Sequence, residues 1–226
     1  DIPYGFKLEL SSGRSWDEYV IRNYFSLKWS IGHLIPIGYL KASLTYGSYF
    51  YDDTPQQSVL SADLQYFTHL FNVWNGYMRY FFHANYTAGF HRLEGERERI
   101  TFYGDNGLRI LKLPHTYGLN RLLFHLESVY FSPLYFYNFK FAFYGFCDFG
   151  WLGDSYKIFP NDLYTTIGLG IRILNDRLIF TSVQLQLGYA VINPGHGANR
   201  WIELGGEQRI GLESFRPNKP ALVDYY

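Results

Sequence analysis

The chain has 226 residues, which suits one domain, and its charges balance, with 20 Lys and Arg against 20 Asp and Glu. This balance gives no sign of the basic surface on which nucleic-acid binding depends, so we expect no nucleic-acid partner. No run of about 18 apolar residues occurs, so no transmembrane helix is indicated. Aromatic residues make up 21% of the chain, charged residues 18%, and mean hydropathy is −0.16. This combination is typical of strands with one lipid-facing and one polar face.

Apolar and polar side chains alternate with a period of two along most of the chain, which predicts β-strands. In the clearest case, four apolar residues alternate with two glutamines: Val183, Leu185, Leu187 and Tyr189 against Gln184 and Gln186. We expect the apolar set to point outward and the glutamines inward. About ten antiparallel strands are predicted, near 4–11, 24–34, 39–50, 59–70, 77–89, 120–131, 138–150, 162–174, 179–192 and 206–216.

Three features distinguish these strands from those of a soluble β-sandwich, which also alternates. The predicted strands have about 9–13 residues, the length that a tilted membrane strand needs. Their polar face carries Lys, Arg, Gln, Asp and His, and aromatic residues crowd the strand ends, as at 46–51 and 130–137. Such aromatic clusters are typical of membrane interfaces. The predicted fold class is therefore an all-β transmembrane antiparallel β-barrel of the bacterial outer membrane.

The predicted connections alternate in length, as do the outer loops and periplasmic turns of such barrels. Longer connections are expected at 12–23, 51–58, 90–119, 151–161 and 193–205, and short ones at 33–38, 71–76, 132–138 and 174–177. This parity places both ends of the chain on the periplasmic side. We expect residues 1–226 to be a single barrel domain or the C-terminal portion of one. The opening Asp1-Ile2-Pro3-Tyr4 has no signal-peptide pattern, which suggests a processed or partial chain.

The longest connection and the strands after it carry four motifs in order. They are Gly104-Asp105-Asn106-Gly107-Leu108-Arg109, then Glu127 followed by Phe131-Ser132-Pro133, then Phe146-Cys147-Asp148-Phe149-Gly150, and last Gly168-Leu169-Gly170-Ile171-Arg172. In that order they resemble the C-terminal part of the BamA/TamA superfamily, the bacterial surface antigen family of outer-membrane barrels, over roughly residues 100–216. In that superfamily a long loop with an R-G-F/Y tripeptide folds into the barrel lumen. This chain has Ile110 and Leu111 in place of the Gly and the aromatic residue, so only Arg109 is carried over.

The resemblance implies a barrel of sixteen strands, of which the ten predicted here would be the C-terminal portion. It also implies a protein that assists insertion or translocation of proteins at the outer membrane. The implied partners are the lipid bilayer and other outer-membrane or periplasmic proteins. No covalent chemistry is implied, and we expect no catalytic residue, cofactor or metal.

Arg109 is the most specific candidate for a site residue. Glu127 and Asp148 fall on the inward faces of two consecutive predicted strands, and a guanidinium suits two carboxylates because its fork can pair bidentately. Because an unpaired buried charge is costly, we predict that Arg109 lies inside the barrel and pairs with Glu127 or Asp148. Gly104 and Gly107 would allow the tight backbone path that an infolded loop needs.

Other functions compete with this interpretation. A passive pore, or a structural or anchor barrel within a larger outer-membrane assembly or enzyme fusion, remains the alternative. A barrel-wall lipid hydrolase would need a Ser/His pair, but His125 and Ser128 are three residues apart and point to opposite faces of a strand. None of the seven histidines has zinc-ligand spacing. His69, His83 and His125 are expected to face inward.

Overall fold

A computed structural model describes residues 2–16, 20–92, 95, 99–102, 107–113, 116–154, 162–175, 182–193, 198–199, 202–205, 221–223 and 225. The regular structure within these residues is entirely β. The strands are β1 Gly5–Trp16, β2 Ile21–Ile35, β3 Gly38–Tyr51, β4 Thr54–Thr68, β5 Phe71–Val73, β6 Gly76–Phe90, β7 Leu111–Lys112, β8 Asn120–Phe136, β9 Phe139–Gly153, β10 Leu163–Asn175, β11 Ser182–Ile192, β12 Ala198–Asn199 and β13 Ile202–Gly205. None of the described residues belongs to a helix long and apolar enough to cross a membrane.

Ten strands form one antiparallel sheet in the order β1-β2-β3-β4-β6-β8-β9-β10-β11-β13, and β5 pairs with β6 beside this path. The prediction of an all-β antiparallel chain with about ten strands is confirmed, because β1–β4, β6 and β8–β11 coincide with nine of the predicted strands. The tenth predicted strand, 206–216, lies outside the described residues, and β13 takes the tenth place in the sheet. Across the described residues β1 and β13 do not pair with each other, so the sheet is open there.

The predicted long connection at 51–58 is wrong. Strands β3 and β4 continue to Tyr51 and from Thr54, and only Asp52 and Asp53 separate them. Both aspartates have left-handed backbone angles, φ 47° and 62°, as a two-residue type I′ hairpin requires. Asp tolerates this conformation better than most residues, so the Asp-Asp pair was the turn signal.

The two faces of the sheet differ in chemistry and in exposure. One face, here called the exposed face, carries large apolar side chains open to the surroundings, among them Leu8, Trp29, Leu44, Leu169 and Leu187. The opposite face, here called the covered face, carries buried polar side chains, among them Lys41, Asn85, Glu127, Asp148 and Gln186. This arrangement is the reverse of a soluble domain, in which apolar residues are the buried ones.

Strand β11 shows the alternation residue by residue. Val183, Leu185, Leu187 and Tyr189 are between 38% and 52% exposed, whereas Gln184 and Gln186 are 9% and 3% exposed. The predicted orientation of this strand is therefore confirmed. A shift of one residue in the pairing register would have inverted all six side chains.

Described residues of the long connection between β6 and β8 pack against the covered face. Its base is closed by the antiparallel bridge between Ile100 and Gly118, and β7 within it pairs with β12. Phe102 and Leu108 pack so close to β9 that a Cβ on Gly150 would lie 2.9 Å from Phe102 Cε1 and 3.1 Å from Leu108 Cδ2. The glycine in this strand thus makes room for the loop.

Candidate functional site

Arg109 is held on the covered face by two carboxylates from adjacent strands. Its Nε and Nη2 donate to the two oxygens of Asp148 on β9 at 2.8 and 2.5 Å, and its Nη1 donates to Glu127 Oε2 on β8 at 2.7 Å. The backbone N–H of Arg109 also donates to Asp148 at 3.2 Å. The structure therefore brings together the three charged residues that the sequence singled out, and Arg109 pairs with both carboxylates rather than with one.

Little of this cluster is accessible to solvent. The side chains of Arg109, Glu127 and Asp148 are 5%, 2% and 0% exposed. Burial opposes the charge of Arg109, but the hydrogen bonds and charges of Asp148 and Glu127 outweigh it and raise the pKa of the guanidinium above its ordinary value. The loop arginine is thus a permanent cation inside a desolvated acidic site. Gly107, the fourth predicted site residue, is buried two residues before it.

A second arginine completes the charge balance. Arg172 of β10 places its Nη2 2.8 Å from Glu127 Oε1, and its Nε donates to Gln184 Oε1 of β11 at 3.4 Å. Two arginines therefore face two carboxylates, and the four formal charges cancel. Because the members come from the loop, β8, β9 and β10, the cluster ties the loop to three consecutive strands. We call Arg109, Glu127, Asp148 and Arg172 the ion-pair cluster.

Aromatic rings of β9 form a platform under both arginines. The guanidinium carbon of Arg109 lies 4.1 Å from the ring centre of Phe146, and that of Arg172 lies 4.2 Å from the ring centre of Tyr144. Cation–π contacts of this kind strengthen when they are desolvated. Tyr144 also donates from its hydroxyl to Gln186 at 3.1 Å. The platform fixes the height of both guanidinium groups above the sheet.

Glycines of β10 make space for that platform. A Cβ on Gly168 would lie 2.6 Å from Phe146 Cε1, and a Cβ on Gly170 would lie 2.6 Å from Tyr144 Cε1. Each ring thus lies over the glycine paired with it across the strands, since Gly168 pairs with Phe146 and Gly170 with Tyr144. The glycines of the Gly168–Arg172 motif serve the site by leaving room for the rings.

Histidines extend the cluster toward β4. His125 Nδ1 lies 3.0 Å from Asp148 Oδ1, and its ring stacks on that of His83 with centres 5.5 Å apart. His83 in turn pairs through Nε2 with Asp63 Oδ2 of β4. Of the three histidines expected to face inward, His125 is buried and His83 half-buried, whereas His69 is exposed beyond the end of β4.

Ile110, which follows Arg109 in the loop, has a strained backbone conformation. Its φ is 69°, a left-handed value that glycine adopts readily and that is unfavourable for a β-branched residue. The side chain is 2% exposed and packs with Val129, Tyr144 and Phe146. Packing on the covered face therefore holds a backbone conformation that the side chain itself disfavours.

Sequence reasoning did not single out Arg172, Tyr144, Phe146 or the Asp63–His83 pair as site residues. The period-two alternation places all of them on the same face as Glu127 and Asp148. Their charged or aromatic character together with this shared face is the signal that indicates them as candidates. Their contacts depend on the register between strands, which the alternation of one strand does not give.

The ion-pair cluster holds the loop against the sheet. Its carboxylates are both engaged by guanidinium groups, and Thr166, the hydroxyl residue facing Asp148, lies 3.4 Å from Oδ2. In the part of the chain that the structure describes, no group of three or more His, Cys, Asp or Glu side chains is placed to hold a metal ion. The arrangement fixes a loop to the sheet and does so without exposed charge.

Comparison with protein-family models, with curated proteins and with solved structures finds no match to this chain.

Proposed function

We propose that this chain forms part of a transmembrane β-barrel in a bacterial outer membrane and assists the insertion or translocation of other proteins there. The observation that carries the proposal is the inverted polarity of the sheet, with large apolar side chains on the exposed face and buried charges on the covered face. A bilayer would accept the first face and exclude the second. The bilayer and the inserted proteins would be the partners, and the covered face would line the lumen.

Strand length supports the membrane part of the proposal. Strands β2, β4, β6 and β9 have 15 residues each and β8 has 17, and about 9–11 residues suffice to cross a bilayer when tilted. Backbone groups at an open sheet edge are unsatisfied in hydrocarbon, so a membrane barrel must close. In the proposed barrel, further strands complete the wall between β1 and β13. This agrees with the sixteen strands of the BamA/TamA superfamily, which the chain resembles.

The ion-pair cluster supports the more specific part of the proposal. The resemblance to the BamA/TamA superfamily implies an arginine of the long loop inside the lumen, and Arg109 lies on the covered face bound to Glu127 and Asp148. In the proposed mechanism the seam near the last strand opens to admit a client strand. The docked loop meanwhile stiffens the wall at β8, β9 and β10, so that opening is confined to the seam.

Reconstitution of the full chain into lipid vesicles tests this function. A urea-denatured outer-membrane barrel protein is added, and its folding into the vesicles is followed by the change in gel mobility that accompanies barrel formation. We expect faster folding than in empty vesicles, and a smaller acceleration with Arg109→Ala but not with Arg99→Ala, whose ion pair with Asp154 is exposed. Folding rates equal to those in empty vesicles would contradict the proposal. Release of a trapped small dye without faster folding would favour the passive pore.

A further inference from the structure

Val223 and Tyr225 lie against the covered face near the strand ends from which the long loop leaves. The backbone N–H of Val223 donates to the Tyr24 hydroxyl of β2 at 2.8 Å. The Tyr225 hydroxyl donates at 2.9 Å to the carbonyl oxygen of Leu119, just before β8. The segment is not one of the strands of the sheet, so these bonds join it to a surface that the strand ladders already hold in place.

Two glycines form recesses for the two side chains. A Cβ on Gly47 of β3 would lie 2.8 Å from Val223 Cγ2, and a Cβ on Gly89 of β6 would lie 2.6 Å from Tyr225 Cε2. Real Cβ atoms do not approach other atoms so closely in a close-packed protein. Only a glycine therefore leaves room for each of these side chains. The two recesses lie on different strands, and they hold side chains that are two positions apart in the chain, Val223 and Tyr225.

A cation lies over the tyrosine ring in the recess at Gly89. The guanidinium carbon of Arg92 lies 3.5 Å from the ring centre of Tyr225, a distance at which a cation attracts an aromatic ring. Tyr225 is 7% exposed and belongs to the apolar cluster that includes Val59 and Leu108. This recess therefore combines an apolar wall, a cation over the ring and a carbonyl acceptor for the hydroxyl, which together select tyrosine.

We propose that these groups form a binding site for an extended peptide segment with an aliphatic residue followed two positions later by tyrosine. The site consists of the Tyr24 hydroxyl, the recesses at Gly47 and Gly89, Arg92 and the Leu119 carbonyl. Val223 and Tyr225 of this chain occupy it in cis. A tethered segment has an effective concentration of the order of millimolar, so a peptide from another molecule binds well only when the internal segment is weakened.

The test is carried out in detergent micelles, without bilayer or client, so that its failure is distinguishable from failure of the proposed function. A fluorescent peptide with the sequence of residues 221–226 is titrated into the full chain and into the Val223→Ala/Tyr225→Ala variant, and anisotropy is measured. We expect the variant to bind at least about tenfold more tightly than the unmodified chain, because the competing segment has lost both anchors. A peptide of scrambled sequence should bind neither protein.

Matched glycine variants locate the site. Adding Gly89→Ala to the double variant should abolish peptide binding, because the new Cβ fills the recess. Adding Gly13→Ala should leave binding unchanged, since a Cβ there would meet nothing within 4 Å. Circular dichroism checks that each protein retains its β-sheet. Equal binding to the unmodified chain and the double variant, no binding to a folded double variant, or equal binding of the scrambled peptide would overturn the proposal.

Discussion

Arg109 and Asp148 form the most extensively bonded pair in the cluster, with both carboxylate oxygens engaged by the guanidinium and a third bond from the Arg109 backbone N–H. The side chain and the backbone of the same residue thus converge on one carboxylate. This contact fixes the direction of the loop as well as its position. Glu127, which is shared with Arg172, links that contact to β10.

Removal of the loop arginine should destabilise the protein strongly. Arg109→Ala leaves Asp148 and Glu127 buried without their main partner, and breaking such a pair typically costs about 3–5 kcal/mol. Arg99→Ala is the matched control, because its pair with Asp154 is 43% and 61% exposed and such pairs contribute at most about 1 kcal/mol. Urea unfolding of each variant measures the difference. Similar small losses for both arginines would show that the cluster does not hold the loop.

Glycine should be tolerated better than alanine at Ile110. Both substitutions remove the buried side chain, but alanine keeps a Cβ at φ 69°, which costs about 1–2 kcal/mol relative to glycine. Ile110→Gly should therefore unfold at a higher urea concentration than Ile110→Ala. Leu123, buried in β8, is the control, where alanine should be the more stable of the two. The same order at both positions would contradict the left-handed conformation at Ile110.

The platform beneath the arginines should depend on the absence of a side chain at Gly170. A Cβ there meets Tyr144, so Gly170→Ala should cost about 1–3 kcal/mol through overpacking. Tyr144→Ala removes the obstacle, and Gly170→Ala should then cost far less, giving a coupling energy within about 0.5–3 kcal/mol. Gly145→Ala is the control, because its Cβ, on the exposed face, would meet Leu169 Cδ2 at 3.3 Å and the Gly168 carbonyl oxygen at 3.9 Å, and neither atom belongs to the platform. Strictly additive effects of Gly170→Ala and Tyr144→Ala would refute the platform.

The strands could be predicted from the sequence because apolar and polar residues alternate within each strand. Alternation in β11 decides which side chains are exposed without reference to any other strand, and the structure agrees at each of the six positions. The predicted connection at 51–58 is wrong because residues 54–58 are polar or proline, which is typical of a loop, although they belong to β4.

Only the pairing of the loop arginine with carboxylates could be predicted from the sequence, because a buried guanidinium requires a negatively charged partner. A buried loop arginine needs carboxylates, and Glu127 and Asp148 fall on the inward faces of the next two predicted strands. The contribution of Arg172 and the stacking of His83 on His125 depend on strand register, which no single strand encodes. The packing of Tyr225 over Gly89 joins residues far apart in the chain, and no local pattern could have indicated it.

The measurement that tests the central claim most directly is spin-label accessibility along β11 in lipid vesicles. Single cysteines are introduced at 183–187 and 189 in a Cys147→Ser background, and collision with oxygen, which concentrates in lipid, is compared with collision with a water-soluble nickel complex. Asp53→Cys, in the exposed β3–β4 turn, provides the aqueous reference. The account predicts high oxygen and low nickel accessibility at Val183, Leu185, Leu187 and Tyr189, with Gln184 and Gln186 shielded from oxygen. Nickel accessibility at the odd positions equal to that at residue 53, or oxygen contact at the glutamines instead, would contradict it.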